Sequence, residues 1–393
     1  MSTLVDRTLE YLQERRDKLL NGGINSIPSP FVRFRSEFVG IEQGKYYVVS
    51  ASTKGGKTQF TSYSFLYTPL LYAYNNPDKI KLKVFYYPLE ETPEDITKRF
   101  MSFLLNHLSR GEIRISPAEL QSTNNDSPVK QEILDALKEG ELKNILKFYE
   151  DTVTFSSSRN ATGVYNEVRK YMEDNGTVYK RPQKIKDDFD NTKEVMVYDH
   201  YVPNNPNEYV IVIFDHLSLI QTERGMDLKQ SADKLSEYFV ILRNRYNVTP
   251  VLVQQQAFSM ESLDAFKANK LRPTAQGLAD SKYSARDCNV LLGLFNPFKH
   301  ELPDYQKYDI TKLKDNCRFL EVILNRGGSS GGLTALFFDG AVCYWAELPR
   351  PDNKEQLSKV YSYLDSIRKK KLPSKIFFIF NYIKNVLKIS SIY

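Results

Sequence analysis

Hydrophobic positions along the chain follow two different patterns. Residues 5–20 place Val5, Leu9, Leu12 and Leu19, with Leu20 adjoining, on one side and charges on the other, and the pattern stops at Gly22-Gly23. That spacing predicts a single amphipathic helix that has to lie against something. A segment punctuated by Pro and Gly, residues 23–44, follows. The pattern then changes to short, nearly unbroken apolar runs at 45–50, 81–89, 152–155, 209–215, 251–255, 289–295, 319–325 and 333–338. Runs of that length, several of them separated by helical patterns, predict a mostly parallel sheet covered by helices on both faces. The last two lie close together around Gly327-Gly328 and Asp339-Gly340 and read as an antiparallel extension. The expected class is α/β.

Two regions do not belong to a minimal core. Residues 111–147 read as surface helix and loop. Residues 179–207 mix Lys180, Arg181, Lys184 and Lys186 with Asp187, Asp188 and Asp190, then reach Pro203 and Pro206. A solvated hairpin insertion fits this mixture, and so does a contact for nucleic acid or another subunit. The expected organisation is a helix over 1–23, a core over 24–350 and a tail over 351–393, with no internal repeat.

Composition narrows the class. A chain of 393 residues holds one large or two ordinary domains, and 41% hydrophobic with 26% charged residues is globular. Cys288, Cys317 and Cys343 lie far apart, as do the four histidines, so neither disulfides nor a structural zinc site is expected. No signal-peptide pattern and no run long enough to span a membrane is present, which points to the cytoplasm. The net charge of +6 is a property of the tail: residues 366–393 hold seven basic residues and no acidic one. With Ile376-Phe377-Phe378-Ile379-Phe380 between lysine clusters, that tail reads either as an appendage without a specific ligand or as a contact for nucleic acid, an anionic surface or a partner.

The chemistry is concentrated in Ala51-Ser52-Thr53-Lys54-Gly55-Gly56-Lys57-Thr58, which ends one apolar run and opens a helical one. Small residues there let backbone N–H groups turn inward around phosphate oxygens. Lys57 supplies a charge at the β- and γ-phosphates, and the Thr58 hydroxyl is placed for Mg²⁺. Ala51 stands where the usual pattern has a glycine. The apolar run ending at Asp215 supplies a carboxylate for the metal's shell on a neighbouring strand. Another run ends in Glu90-Glu91-Thr92, at the carboxyl end of the sheet where ligands of such folds sit. A glutamate there can accept a proton from an attacking water.

From about residue 24 to 348 the chain resembles the RecA-like ATPase domain of DnaB-type replicative helicases. Phe85-Tyr-Tyr-Pro-Leu89-Glu90-Glu91-Thr92, with Arg99 after it, is similar to that family's strand ending in Ser-Leu-Glu-Met, which makes Glu90 the water-activating residue. Ile213-Phe-Asp215-His-Leu-Ser-Leu-Ile220 is similar to its Walker B strand. Val248-Thr-Pro-Val-Leu-Val-Gln254-Gln255-Gln256 is similar to the strand ending in Ser-Gln-Leu and puts Gln255 at the sensor position. The stretch from Arg272-Pro273 to Asp287-Cys-Asn-Val290 matches, without a gap, the loop that tracks single-stranded DNA, implying contacts through Asp280, Ser281 and Lys282. Ala279 replaces an arginine there and Lys282 a glycine. Arg326, in Leu324-Asn-Arg326-Gly-Gly328, corresponds to the arginine finger that enters the neighbouring subunit's site, and Leu324 stands where the family has a lysine.

What the resemblance implies is an ATP- and Mg²⁺-dependent translocase on single-stranded DNA, a homo-oligomeric ring, hexameric in the family and moving 5′ to 3′, with primase or a loader protein as partners. The family's helical N-terminal domain has no counterpart here. Only the helix over 5–20 remains, similar to the linker helix that docks on an adjacent protomer, and a short motor of this sort suggests a phage or mobile-element replication system. A RecA-type recombinase and a regulatory P-loop ATPase or helicase loader are the other readings.

Overall fold

The structure is a computed structural model that describes residues 3–186, 192–257 and 271–369. Its first helix, Leu4–Leu20, opens on a capping box in which Thr3 and Asp6 satisfy each other's backbone N–H groups. Val5, Leu9, Leu12 and Leu20 on this helix remain more than half exposed. The expected amphipathic helix is therefore present with its apolar side uncovered.

The strands, in chain order, begin with β1 (Ser26–Pro28), β2 (Gly40–Glu42), β3 (Tyr47–Ala51), β4 (Lys81–Pro88) and β5 (Val153–Phe155). Next come β6 (Gly176–Lys186), β7 (Thr192–Pro203), β8 (Glu208–Asp215), β9 (Thr249–Gln255) and β10 (Val290–Phe295). The last are β11 (Asp304–Tyr305), β12 (Tyr308–Asp309), β13 (Cys317–Asn325), β14 (Leu333–Asp339) and β15 (Tyr344–Glu347). Nine of them form one sheet in the order β15-β14-β13-β10-β3-β9-β8-β4-β5. The six from β10 to β5 are parallel, and β13, β14 and β15 extend the sheet antiparallel from β10. Each expected core strand is found within two residues of its expected ends. β15 was not expected, because four residues around the buried Trp345 are too short a run to stand out.

Both faces of the parallel strands are covered, which is why they read as continuous apolar runs. Along β3, Tyr47, Val49 and Ala51 enter one core while Val48 and the preceding Tyr46 enter the other. The first core absorbs much of the aromatic content: Tyr67, Phe100, Phe103 and Tyr149 lie ring against ring at centroid separations of 4.6–6.3 Å. Such pairs contribute about 0.5–1.5 kcal/mol each beyond area burial. The chain leaves β3 for β4 and later fills the two positions between them with β9 and β8, so the carboxyl end of β3 lies in the crevice where ligands of open α/β sheets bind.

Outside the main sheet, β6 and β7 pair antiparallel from Gly176↔Pro203 to Lys186↔Thr192, forming a long hairpin anchored where Tyr198 donates to the Arg245 carbonyl at 2.7 Å. Asp187, Asp188 and Asp190 of the expected insertion lie outside the described residues. In the segment 111–147, the short helices Pro117–Leu120 and Gln131–Lys138 precede the helix Gly140–Thr152. The segment expected as a tail is in part a core element: helix Lys354–Lys369 buries Leu357 and Leu364 against Phe295, Phe319 and Phe337. The lysine-rich stretch from residue 370 lies outside the described residues. Among those described, no helix is long and apolar enough to cross a membrane.

Candidate nucleotide site

The loop after β3 turns by placing Lys54 and Gly56 in the left-handed region, at φ +59° and +94°. Gly55 closes the turn by donating to the Ser52 carbonyl at 3.0 Å. The alanine at position 51 makes the glycine at 55 obligatory: a Cβ on Gly55 would stand 2.7 Å from the Ala51 methyl. Helix Lys57–Thr61 begins immediately and continues through a π-helical segment, Ser62–Tyr67, into Thr68–Asn75. Lys57 is 9% exposed. Burial lowers its pKa, Glu90 and Asp215 pull it back up, and Lys299 pushes it further down.

Asp215 ends β8, paired in register with Pro88 of β4, so parallel pairing carries it to the same end of the sheet as the loop. The carboxylate is 4% exposed and accepts from the Thr58 hydroxyl at 3.2 Å and the Tyr86 hydroxyl at 3.0 Å. Its pKa is raised from 3.8 to about 6, chiefly by burial and further by Glu91; the hydrogen bonds from Tyr86 and Thr58 and the charge of Lys57 oppose the rise. One hydroxyl and one carboxylate side by side are a donor set suited to Mg²⁺, which takes most of its six oxygens from water and phosphates. The two glutamates after β4 differ: Glu91 is ion-paired with Arg99, while Glu90 is exposed and close enough to influence Lys57.

β9 delivers three glutamines to this end. Gln255, beside Ala51, donates to the Thr53 hydroxyl at 2.6 Å. Gln254 donates to the carbonyls of Ala279 and Ser281, and Gln256 bonds Ser50 at 2.8 Å and the Thr274 carbonyl at 3.1 Å. The middle glutamine thus faces the phosphate loop while its neighbours hold the segment 274–281. Asp280 in that segment and Lys282 just after it are exposed. Ser281 is buried, its hydroxyl donated to Asp233. Asp280 has a φ of +64° and accepts from Ser218.

Arg326 is not brought to this cluster. Asn325 pairs with Val290, and Val290 with Tyr47 at the start of β3, so Arg326 lies beyond the opposite end of the sheet. It is exposed, donating to the carbonyls of Cys288, at 2.8 Å, and Arg286. Leu324 packs on the second core.

Three residues at the loop escaped the sequence reading. Tyr86 is hidden in an apolar run, where a tyrosine carries no signal. Arg318 was detectable as the lone charge in Cys317-Arg318-Phe319-Leu320. It is 2% exposed and donates to the carbonyls of Gly55 at 3.0 Å, Asp315 at 2.8 Å and Cys317 at 2.9 Å. Lys299, which donates to the Thr53 carbonyl at 2.9 Å, follows β10 with no pattern to mark it.

No protein-family model matches the chain, and no curated protein matches it in sequence. Solved structures do resemble it. The ATPase domain of G40P superposes with a TM-score of 0.60 at 14% identity, over 88% of this chain and 99% of that one. A DnaB-like replicative helicase, solved in a study of its interactions with primase, superposes with a TM-score of 0.59 at 14% identity, over 89% of this chain and 68% of that one. The fold is that of a RecA-like P-loop ATPase. In this RecA-like core the phosphate loop follows the central parallel strand, and Asp215 ends the strand two positions away.

Proposed function

We propose that the protein is an ATP-driven translocase of the DnaB helicase type, which forms a ring on single-stranded DNA and couples ATP hydrolysis to duplex unwinding. The observation that carries this reading is the meeting of Lys57, Thr58 and Asp215 at the carboxyl end of the sheet, with Thr58 and Asp215 in direct hydrogen bond. In this reading the N–H groups of residues 51–58 and the Lys57 ammonium hold the phosphates of ATP. Thr58 and Asp215 hold Mg²⁺, which when bound neutralises charge on the phosphate oxygens. Glu90, rather than the ion-paired Glu91, accepts the proton of the attacking water, a role worth about 10²- to 10⁴-fold. Gln255 reports the state of the loop through Thr53, and its neighbours transmit it to the segment 274–281, after which Lys282 meets the DNA backbone with Asp280 near it.

Arg326 acts on the next subunit, since it lies roughly 13 Å of strand and more from its own loop, counting four residues at about 3.3 Å each. An arginine entering in this way is worth about 10³- to 10⁵-fold. The exposed apolar side of helix Leu4–Leu20 is the surface that docks on an adjacent protomer, and primase or a loader protein is the expected further partner. The test is ATP hydrolysis with and without single-stranded DNA over a range of protein concentrations, with mass measured on the same samples. Stimulation by single strands together with a ring-sized mass supports the proposal. DNA-independent turnover by a monomer contradicts it and favours a regulatory ATPase.

A further inference from the structure

The amino end of the sheet holds a cation that has no partner inside the protomer. Lys45 stands two residues before β3. Its neighbour Tyr46 donates its backbone N–H to the Asn289 side chain at 2.8 Å, and the Tyr46 carbonyl accepts from the Asn289 N–H at 2.7 Å. The Asn289 carbonyl accepts from the Arg326 N–H at 2.9 Å, and its side-chain oxygen accepts from the Arg243 guanidinium at 2.9 Å. One asparagine thus gathers Lys45, Arg243 and Arg326 around the start of β10.

The three cations are held differently. Arg243 donates to the Asp287 carbonyl as well as to Asn289, and Arg326 donates to the carbonyls of Cys288 and Arg286. Asp287, the acid at this spot, is ion-paired with Arg286 at 3.2 Å, and Glu37 accepts from Ser329 of the β13–β14 turn at 2.7 Å. Lys45 is partly buried, yet among the described residues its ammonium makes no hydrogen bond and no ion pair. It lies against the turn that carries Arg326: a Cβ on Gly327 would stand 3.6 Å from the Lys45 Nζ. With glycine at 327, no side chain of that residue covers the ammonium.

Cations crowded on one rim repel one another, and a polyanion arriving from outside turns that repulsion into attraction. The protomer's own phosphate loop is not the source of that anion. Lys45 precedes β3 and the loop follows it, so the whole strand, roughly 13 Å at about 3.3 Å per residue, lies between them. We infer that Lys45 acts beside Arg326 as a second cation offered to the neighbouring subunit, and that it contacts the phosphate oxygens of the nucleoside triphosphate bound there. The inference rests on the reading of Arg326 as a group acting on the next subunit. It adds a residue that no local pattern connects to the turn, since Lys45 and Gly327 meet only through the sheet.

The test is ATP hydrolysis by the full chain with Mg²⁺ and single-stranded DNA, with mass measured on the same samples. The variants are Lys45→Gln, which removes the charge, and Lys45→Arg, which keeps it. Each is assayed alone and mixed with excess Lys57→Ala chains, whose Lys45 is intact. Alone, Lys45→Gln should lose about tenfold in kcat with KM within about twofold, and Lys45→Arg should stay within about threefold of the parent. In the mixtures, turnover per Lys45→Gln chain should rise severalfold, because an intact loop then faces an intact lysine from its neighbour. Parent-like hydrolysis by Lys45→Gln would overturn the inference, and weakened single-strand binding with unchanged hydrolysis would move Lys45 to the DNA path instead. A loss accompanied by a fall in mass would overturn it too, making Lys45 an assembly contact. So would a loss that mixing leaves in place under conditions that restore Arg326→Ala, since Lys45 would then act within its own protomer. If mixing failed to restore Arg326→Ala as well, the shared-site reading itself would fail, and the inference with it.

Discussion

The two ends of the parallel sheet carry different kinds of chemistry. At the carboxyl end, Lys57, Thr58, Asp215, Tyr86, Gln255, Arg318 and Lys299 are joined by hydrogen bonds and electrostatic contacts within a single chain. At the opposite end lie Arg326, the base of the β6–β7 hairpin and helix Leu4–Leu20, whose Arg15 is 3.7 Å from Glu42. That end exposes a cation and an apolar helix side with no reaction to serve inside the protomer. In the proposed ring, the carboxyl end is a site lacking one arginine, and the opposite end is the source of it. Damage at the first end should therefore be intrinsic to the protomer, and damage at the second should be seen only in the assembly.

The largest effect expected is from Lys57→Ala, which should reduce hydrolysis by more than about 10³-fold and weaken nucleotide binding in a titration, because the charge at the phosphates is lost. Arg326→Ala should reduce steady-state hydrolysis by about 10³-fold while leaving nucleotide affinity nearly unchanged, which would separate the two ends most cleanly. Arg318→Ala should lower the unfolding free energy in urea by about 3 kcal/mol, since it opens a cavity under the loop and strips three carbonyls of their donor.

Asp215→Asn should separate stability from activity at the carboxyl end. The native carboxyl keeps its proton up to about pH 6, whereas an ordinary one loses it near 3.8. Between those values the folded chain binds more protons than the unfolded one, so stability falls as pH rises through about 6 and does not recover above it. Removing the titrating group should make the nucleotide-free variant more stable than the parent at pH 7–8, by ~1–2 kcal/mol in thermal unfolding, with the difference vanishing near pH 4. Hydrolysis should be lost at every pH. The smallest effect on the protomer is expected from Leu9→Ser with Leu12→Ser. Both side chains are more than half exposed, so unfolding should change by less than about 0.5 kcal/mol while the mass of the assembly falls.

How much of this could be read from the chain depended on the kind of interaction. The parallel strands were legible because burial on both faces leaves no polar residues to blur a run such as Tyr209-Val-Ile-Val-Ile-Phe-Asp215. The phosphate loop was legible because a backbone that must turn inward restricts which residues can stand at Gly55 and Gly56. Lys299 and Tyr86 were not, and Arg318 showed only as a lone charge in an apolar run, since each meets its partner from a strand or turn far away in sequence, and spacing carries no record of such contacts. The burial of Ser281 was missed for a related reason: the hydroxyl's partner, Asp233, lies on the helix Leu228–Tyr246, which local pattern does not connect to the segment after Arg272. Leu357 and Leu364, beyond the boundary expected at residue 350, were not legible as buried positions because they sit on a helix whose composition is otherwise that of a solvated tail.

The most direct test of a site divided between the two ends is complementation in mixtures. Lys57→Ala and Arg326→Ala chains should each be nearly inactive alone, but a proposed ring containing both would have interfaces where an intact phosphate loop from one faces an intact arginine from the other. Hydrolysis measured across mixing ratios should rise from near zero at either extreme to a maximum between them. No activity at any ratio, with assembly verified by mass, would contradict a site shared between protomers.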